Sequence, residues 1–336
     1  MSRSISRSAA LRAAGGAIAA AAIARPALAQ PAPHSVAVGL TSKTASDWSV
    51  YVADKLGYFT QNGLQVDIIV TGSSAANAQQ LTAGSVDIGE ISTTQIIEAV
   101  LGGAPIVSFI NRSNNAPYII VGKKGLSSIS QLRGKTIIVG GPNDITLVFM
   151  NTVLAAYKLK PDDVTYTFAG GTSERFAALF SGTVDAAILL PPFSFRAESA
   201  GYPVLDRVQK YFPVFPFDTF SARIDFAKKN PDILIAYAKS ILRAVNWLYD
   251  PGNKSKAVAI LAEATNVSPD DATKTYDFFI TQVKYYHRTG LMTNEDLAPV
   301  ISALLKTDQI KPPAPDPARF YDNTFATKAN AALRRR

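Results

Sequence analysis

Residues Tyr51–Phe109 read YVADKLGYFTQNGLQVDIIVTGSSAANAQQLTAGSVDIGEISTTQIIEAVLGGAPIVSF. Two periodicities alternate along them. Trp48, Tyr51, Val52 and Leu56 fall on one face of a helix predicted over Asp47–Gly57, with Gly57 as a left-handed C-cap. Val66–Val70, Asp87–Ile91 and Ile106–Phe109 are short apolar runs bounded by Gly, Pro or Asp. Their apolar positions are largely consecutive, which suits strands covered on both faces. Helix and strand in alternation predict a mostly parallel α/β sheet. In such sheets ligands lie beyond the carboxyl ends of the strands, where this segment concentrates glycine and small polar residues.

The pattern extends in both directions. Val36–Leu40 precedes it as a strand, and Tyr118–Val121, Thr136–Val139, Val164–Phe168 and Asp185–Leu189 follow, with a helix predicted over Asn143–Tyr157. From Asn230 onward the chain reads as helix after helix. Asn230-Pro231-Asp232 and Ser268-Pro269-Asp270 are helix starts. Leu234, Tyr237, Ala238, Ile241, Leu242, Val245 and Leu248 make one apolar stripe. Loop-like edges at Asn111–Pro117 and Tyr211–Phe217 divide the body into two α/β domains joined by two crossovers. The expected domains are residues 34–114 plus 218–336, with a helical C-terminal wrap, and residues 115–217. A ligand cleft would lie between them.

The first residues carry a different signal. Arg3, Arg7 and Arg12 precede an apolar stretch, Ala13–Ala24, and Ala27-Leu28-Ala29 is a small-x-small cleavage site. Twelve apolar residues are too few for a membrane span, which takes about 20. Residues 1–29 are therefore expected to be a signal peptide cleaved near Ala29/Gln30, by the Sec or the twin-arginine route. The leader takes four arginines with it, so the chain's net charge of +8 becomes 30 basic against 26 acidic residues, or +4. Nothing resembles a basic stripe with interleaved aromatics, so no nucleic-acid partner is expected. The chain has no cysteine. It can form no disulfide and carry no lipobox lipid, and its stability must come from its core.

With these elements in place, a family likeness is visible. Leu56-Gly57-Tyr58-Phe59, Gly63-Leu64 and Val66 resemble the LGYF-x-x-x-GL-x-V signature of the periplasmic solute-binding proteins of nitrate, sulfonate and taurine ABC importers. These are the SsuA-like proteins, in the superfamily named for NMT1 and THI5. Leu81-Thr82-Ala83-Gly84-Ser85-Val86-Asp87-Ile88-Gly89 is similar to its L-x-x-G-x-V-D-x-G block, and Gly102–Ile106 to its G-x-P segment. Leu132–Ile137 is similar to DLKGK-x-I, with Gln131 replacing the usual Asp. Ala178–Ala187, ending in Val184-Asp185-Ala186-Ala187, is similar to A-L-x-x-G-x-V-D-A-A. The likeness spans residues 36–206. It implies a type II periplasmic binding protein fold, hinge closure on a small molecule, and an ABC permease with its ATPase as partner. Gly57, Gly63 and Gly84 read as turn glycines, and Asp87 and Asp185 as backbone-bonding carboxylates at strand starts.

Candidate ligand residues sit in the loops after strands. Ser73 and Ser74 follow the second strand, Ser92, Thr93 and Thr94 the third; Asn143 and Asp144 follow one strand of the second domain and Thr172 another. Each offers hydroxyls or amides at a positive helix end, which suits a small organic anion such as a sulfonate or carboxylate. The same residue types are ordinary N-caps, which is the rival account of each. Trp48 and Phe193 are favoured as an apolar wall, ahead of Tyr118 and Phe217. Arg112 and Lys43 are further anion partners, although an arginine is more often a solvated surface residue. A neutral pyrimidine-like or aromatic ligand is the alternative, and a periplasmic sensor is the alternative role.

Catalysis finds little support. Only His34 and His287 could serve a triad, no G-x-S-x-G occurs, and a cysteine-free chain with two histidines offers no metal set and calls for no cofactor. The THI5-like synthases use a cysteine-rich motif that is missing here. LysR-type effector domains follow a DNA-binding helix-turn-helix, where this chain has its leader. The expected molecule is a non-enzymatic periplasmic monomer.

Overall fold

A computed structural model describes residues 32–335; the expected signal peptide lies outside the described residues. The strands are β1 His34–Leu40, β2 Leu64–Val70, β3 Ile88–Ser92, β4 Ile106–Asn111, β5 Ile119–Gly122, β6 Thr136–Val139, β7 Thr165–Phe168, β8 Ala186–Leu189, β9 Val204–Arg207 and β10 Asp218–Arg223. They form two five-stranded sheets, ordered β2-β1-β3-β10-β4 and β7-β6-β8-β5-β9. In the first sheet β10 runs antiparallel to both β3 and β4; in the second β5 runs antiparallel to both β8 and β9. The other neighbours pair in parallel. Each sheet is thus mixed but mostly parallel and flanked by helices, the two-domain α/β architecture anticipated above.

The same local device starts one inner strand in each domain. Gly84 (φ +82°) and Gly182 (φ +77°) adopt left-handed conformations that glycine reaches without steric cost. Three residues later, Asp87 Oδ2 accepts from the Ala37 amide and Asp185 Oδ2 from the Thr136 amide, each at 2.9 Å. Both carboxylates bond a strand neighbour's backbone, the structural role read from the sequence.

Two strands are missing from the sequence reading. β9, Val-Leu-Asp-Arg, has only two apolar residues, followed by two charged ones. β10, Asp-Thr-Phe-Ser-Ala-Arg, has no apolar run, yet Asp218–Ala222 are all buried. Thr219 Oγ1 donates to the Ile91 carbonyl at 3.2 Å and pairs with Ser221 Oγ at 3.0 Å, so burial leaves these hydroxyls bonded.

The helical C-terminal third covers the first sheet. In the helix Pro231–Leu248 the predicted stripe is buried throughout. Tyr237 stacks on Phe59 with ring centroids 5.4 Å apart and meets Phe220 edge-on at 5.1 Å. Asn230 precedes that helix, but its side chain donates to the Phe226 carbonyl instead of capping. Ser268 does cap, accepting from the Asp271 amide at 3.1 Å. Among the described residues no helix is long and apolar enough to cross a membrane.

Candidate functional site

The loops at the carboxyl ends of β1, β2, β3, β6, β7 and β8 converge on a cavity between the two sheets. Thr41, Ser42, Thr44, Asp47, Ser74, Glu90 and Ser92 line it from the first domain. Tyr118, Asp144, Ile145, Gly170, Thr172, Arg175 and Leu190 line it from the second, with Phe217 from the crossover. Its free volume is small, about 30 Å³. The walls are in contact. The Ala45 amide of the first domain donates to the Pro191 carbonyl of the second at 3.0 Å. At Gly170 there is no room for a side chain: a Cβ would lie 2.6 Å from that of Ser73.

Charge is concentrated beside this cavity. Arg112 is 3% exposed and faces three carboxyl groups. It donates to Asp47 Oδ1 at 2.6 Å and to Asp218 Oδ2 at 2.9 Å, and lies 3.4 Å from Glu90 Oε1. Glu90 Oε2 also accepts from the Thr41 amide at 2.6 Å, which ties the β1 loop to β3. Asp218 Oδ1 accepts from Ser113 Oγ and from Tyr285 Oη, each at 3.0 Å. Burial, with Glu90's charge, holds the Asp47 carboxyl well above the usual range despite Arg112. Burial likewise pushes Asp218 up to about 6 against the pull of Arg112. Burial works to lower the Arg112 pKa, but the carboxylates outweigh it and raise it. One guanidinium thus faces an excess of acid.

On the opposite wall Arg175 is 1% exposed. Its Nε donates to the Ile188 carbonyl, one terminal nitrogen to the carbonyls of Ala169 and Gly170, and the other to Thr172 Oγ1. Four of its five N–H donors are therefore spent on the protein. Asp144 caps the helix Ile145–Ala156, its Oδ1 accepting from the Thr146 amide at 2.9 Å and from Thr146 Oγ1.

Of the sequence candidates, Ser74, Ser92, Asp144 and Thr172 line the cavity. Ser74 Oγ accepts from the Ser92 amide at 2.8 Å, joining the loops after β2 and β3. Thr94 stands just behind, its Oγ1 3.2 Å from Ser92 Oγ. Ser73 caps the helix Ser74–Ala83 and presses on Gly170 at the domain seam. Thr93 is buried against the crossover: its hydroxyl donates to the Pro216 carbonyl at 2.6 Å. Asn143 lies on a separate open groove of about 750 Å³ that also takes in Glu98, Leu147 and Lys311. There burial and the Asp144 charge raise Glu98 to about 7.

Trp48 and Phe193 do not form a cavity wall. Trp48 is fully buried, its indole N–H donates to the Ala257 carbonyl at 3.0 Å, and Tyr276 meets it edge-on at 5.9 Å. Phe193 packs on Phe176 at 5.3 Å inside the second domain. Each begins a helix and turns inward, so position after a strand-end loop was a poor guide. Tyr118 and Phe217, ranked behind them, are the aromatics on the cavity. Arg112 is neither a surface residue nor an open anion site, because the acids enclose it. Glu90 and Arg175 were missed. Glu90 had a signal: a carboxylate within Ile88–Ser92, where every position is buried, is costly unless paired. Arg175, inside an ordinary amphipathic helix, had none.

Residues 47–254 match the family model described as NMT1/THI5 like. The taurine-binding periplasmic protein of Escherichia coli K12 is 28% identical over 263 residues, 74% of this chain and 78% of that one. The alkanesulfonate-binding protein SsuA of Xanthomonas axonopodis pv. citri, solved bound to MOPS, superposes with a TM-score of 0.70 at 16% identity. The match covers 86% of this chain and 98% of that one. The periplasmic nitrate-binding protein NrtA of Synechocystis PCC 6803 gives a TM-score of 0.74 at 14% identity, covering 90% and 89%.

Proposed function

The chain belongs to the NMT1/THI5-like family, and we propose that it is the substrate-binding component of an ABC importer. It is exported to the periplasm, takes up a small polar organic molecule between its two domains, closes on it, and passes it to a membrane permease with its ATPase. The domains are residues 34–114 plus 218–336, and 115–217. The observation that carries this reading is the cavity itself: strand-end loops of both domains line it, and the walls meet at the Ala45–Pro191 backbone hydrogen bond and where Gly170 leaves no room for a side chain beside Gly72 and Ser73. Contacts from one ligand to both walls would bias a hinge toward the closed form. With only about 30 Å³ of free volume between the walls, we expect the domains to separate further as the solute enters.

Native mass spectrometry of the protein isolated from the periplasm tests this directly. The expected outcome is a stoichiometric small molecule that denaturation releases and that raises the melting temperature when added back. A protein that carries nothing and responds to no candidate solute would overturn the reading.

A further inference from the structure

We propose that the cavity recognises the positively charged or N–H-rich nitrogen end of its ligand, an ammonium or amidine-type group held by Asp47 and Glu90 and met from the other domain by Asp144. This rests on the solute-binding reading and adds the class of ligand. Asp47, Glu90 and Asp144 bring three carboxyl groups to the cavity wall, against the single guanidinium of Arg175. Most of Arg175's donors are already used by Ile188, Ala169, Gly170 and Thr172. An oxyanion entering here would meet acid with little donor capacity left to hold it. A cationic nitrogen would do the reverse. It would offset the acid excess that Arg112 leaves around Asp47 and Glu90, and its N–H donors match carboxylates, which when ionised only accept.

A second observation points to a ligand at the same place. Ser42 and Tyr118 line the cavity and are each 5% exposed. Neither hydroxyl bonds another group among the described residues, and neither oxygen is fully buried, so both stay open to an occupant of the cavity. They stand on opposite walls, Ser42 after β1 and Tyr118 before β5, so a ligand bonding both would join the domains. A metal cation is a poorer occupant: among the described residues no group of three His, Cys, Asp or Glu side chains could hold one.

Calorimetry on the purified full chain with three matched pairs provides the test: taurine against ethanesulfonate, benzamidine against benzoate, and 4-aminopyrimidine against pyrimidine. The nitrogen-bearing member of at least one pair is expected to bind at least tenfold tighter than its match. Glu90→Gln and Asp144→Asn should each weaken that binding at least tenfold. Asparagine still caps the helix at 144, so Asp144→Asn remains informative if Glu90→Gln disturbs folding. Preference for the match lacking the added nitrogen group, or unchanged affinity in both variants, would overturn the inference and leave solute binding standing. Binding of none of the six compounds would overturn it as well, and the solute-binding reading would then rest on the mass-spectrometric result.

Discussion

Replacing Trp48 by alanine would remove a fully buried indole together with its hydrogen bond to Ala257. Denaturant unfolding should register a loss of about 3–5 kcal/mol, where a ligand-wall role would change binding and spare stability. Arg112→Ala should cost a similar amount, about 3–5 kcal/mol, because Asp47, Glu90 and Asp218 would be left buried without their guanidinium. Asp218 also gives the fold a pH dependence. Its pKa of about 6 in the folded chain stands above the ordinary 3.8, so between those values the folded state binds more protons than the unfolded one. Its contribution is fully present below pH 3.8 and lost as pH rises through 6. Arg112, Glu90, Ser113 and Tyr285 are the groups that face it. Glu98, at about 7, acts with the same sign up to higher pH. His287, which burial holds below its ordinary 6.5, acts oppositely as pH falls. Comparing Asp218→Asn with the parent isolates the first effect. The parent's melting temperature should gain more than the variant's on going from pH 7.5 to 4.5, by about 2 °C or more, and equal gains would refute the assignment.

At the scale of elements, the loop carrying Gly170 has no space for a side chain at the seam between the domains. Gly170→Val should leave the unliganded protein folded with the domains apart, yet abolish ligand-induced compaction in small-angle scattering, because a side chain there meets Gly72 and Ser73. Ser73→Ala removes the cap that the Ala76 amide uses and should lower stability by about 1 kcal/mol. The elements were legible in the sequence where burial and apolarity coincide, as in β1, β3 and the stripe of Pro231–Leu248. They were not where polar side chains are buried with their bonds satisfied, as in β10. The site followed the same division. Strand-end loops located Ser74, Ser92, Asp144 and Thr172 by topology alone. Which aromatics face the cavity depends on how each helix turns after its loop, and this exchanged Tyr118 and Phe217 for Trp48 and Phe193.

For the whole molecule, the two sheets share one strand plan but differ in how the chain supplies it. All five strands of the second sheet lie between Ile119 and Arg207. The first sheet takes four strands from before Asn111, and then β10, which runs between β3 and β4. Until Asp218–Arg223 arrives, β3 and β4 have no partner to link them, and the helix Pro231–Leu248 that covers Phe59 and Phe220 follows later still. Distant pairings carry a loop-closure cost that local ones avoid. Time therefore runs differently in the two halves. The second sheet can assemble as a local unit, while the first stays open until the chain has passed through its neighbour and returned. Pulse-labelling hydrogen exchange during refolding should find amides of β6 and β8 protected before those of β3 and β4, and a truncation after Arg207 should protect only the former. If β3 and β4 are protected first, the returning strand is not the late step.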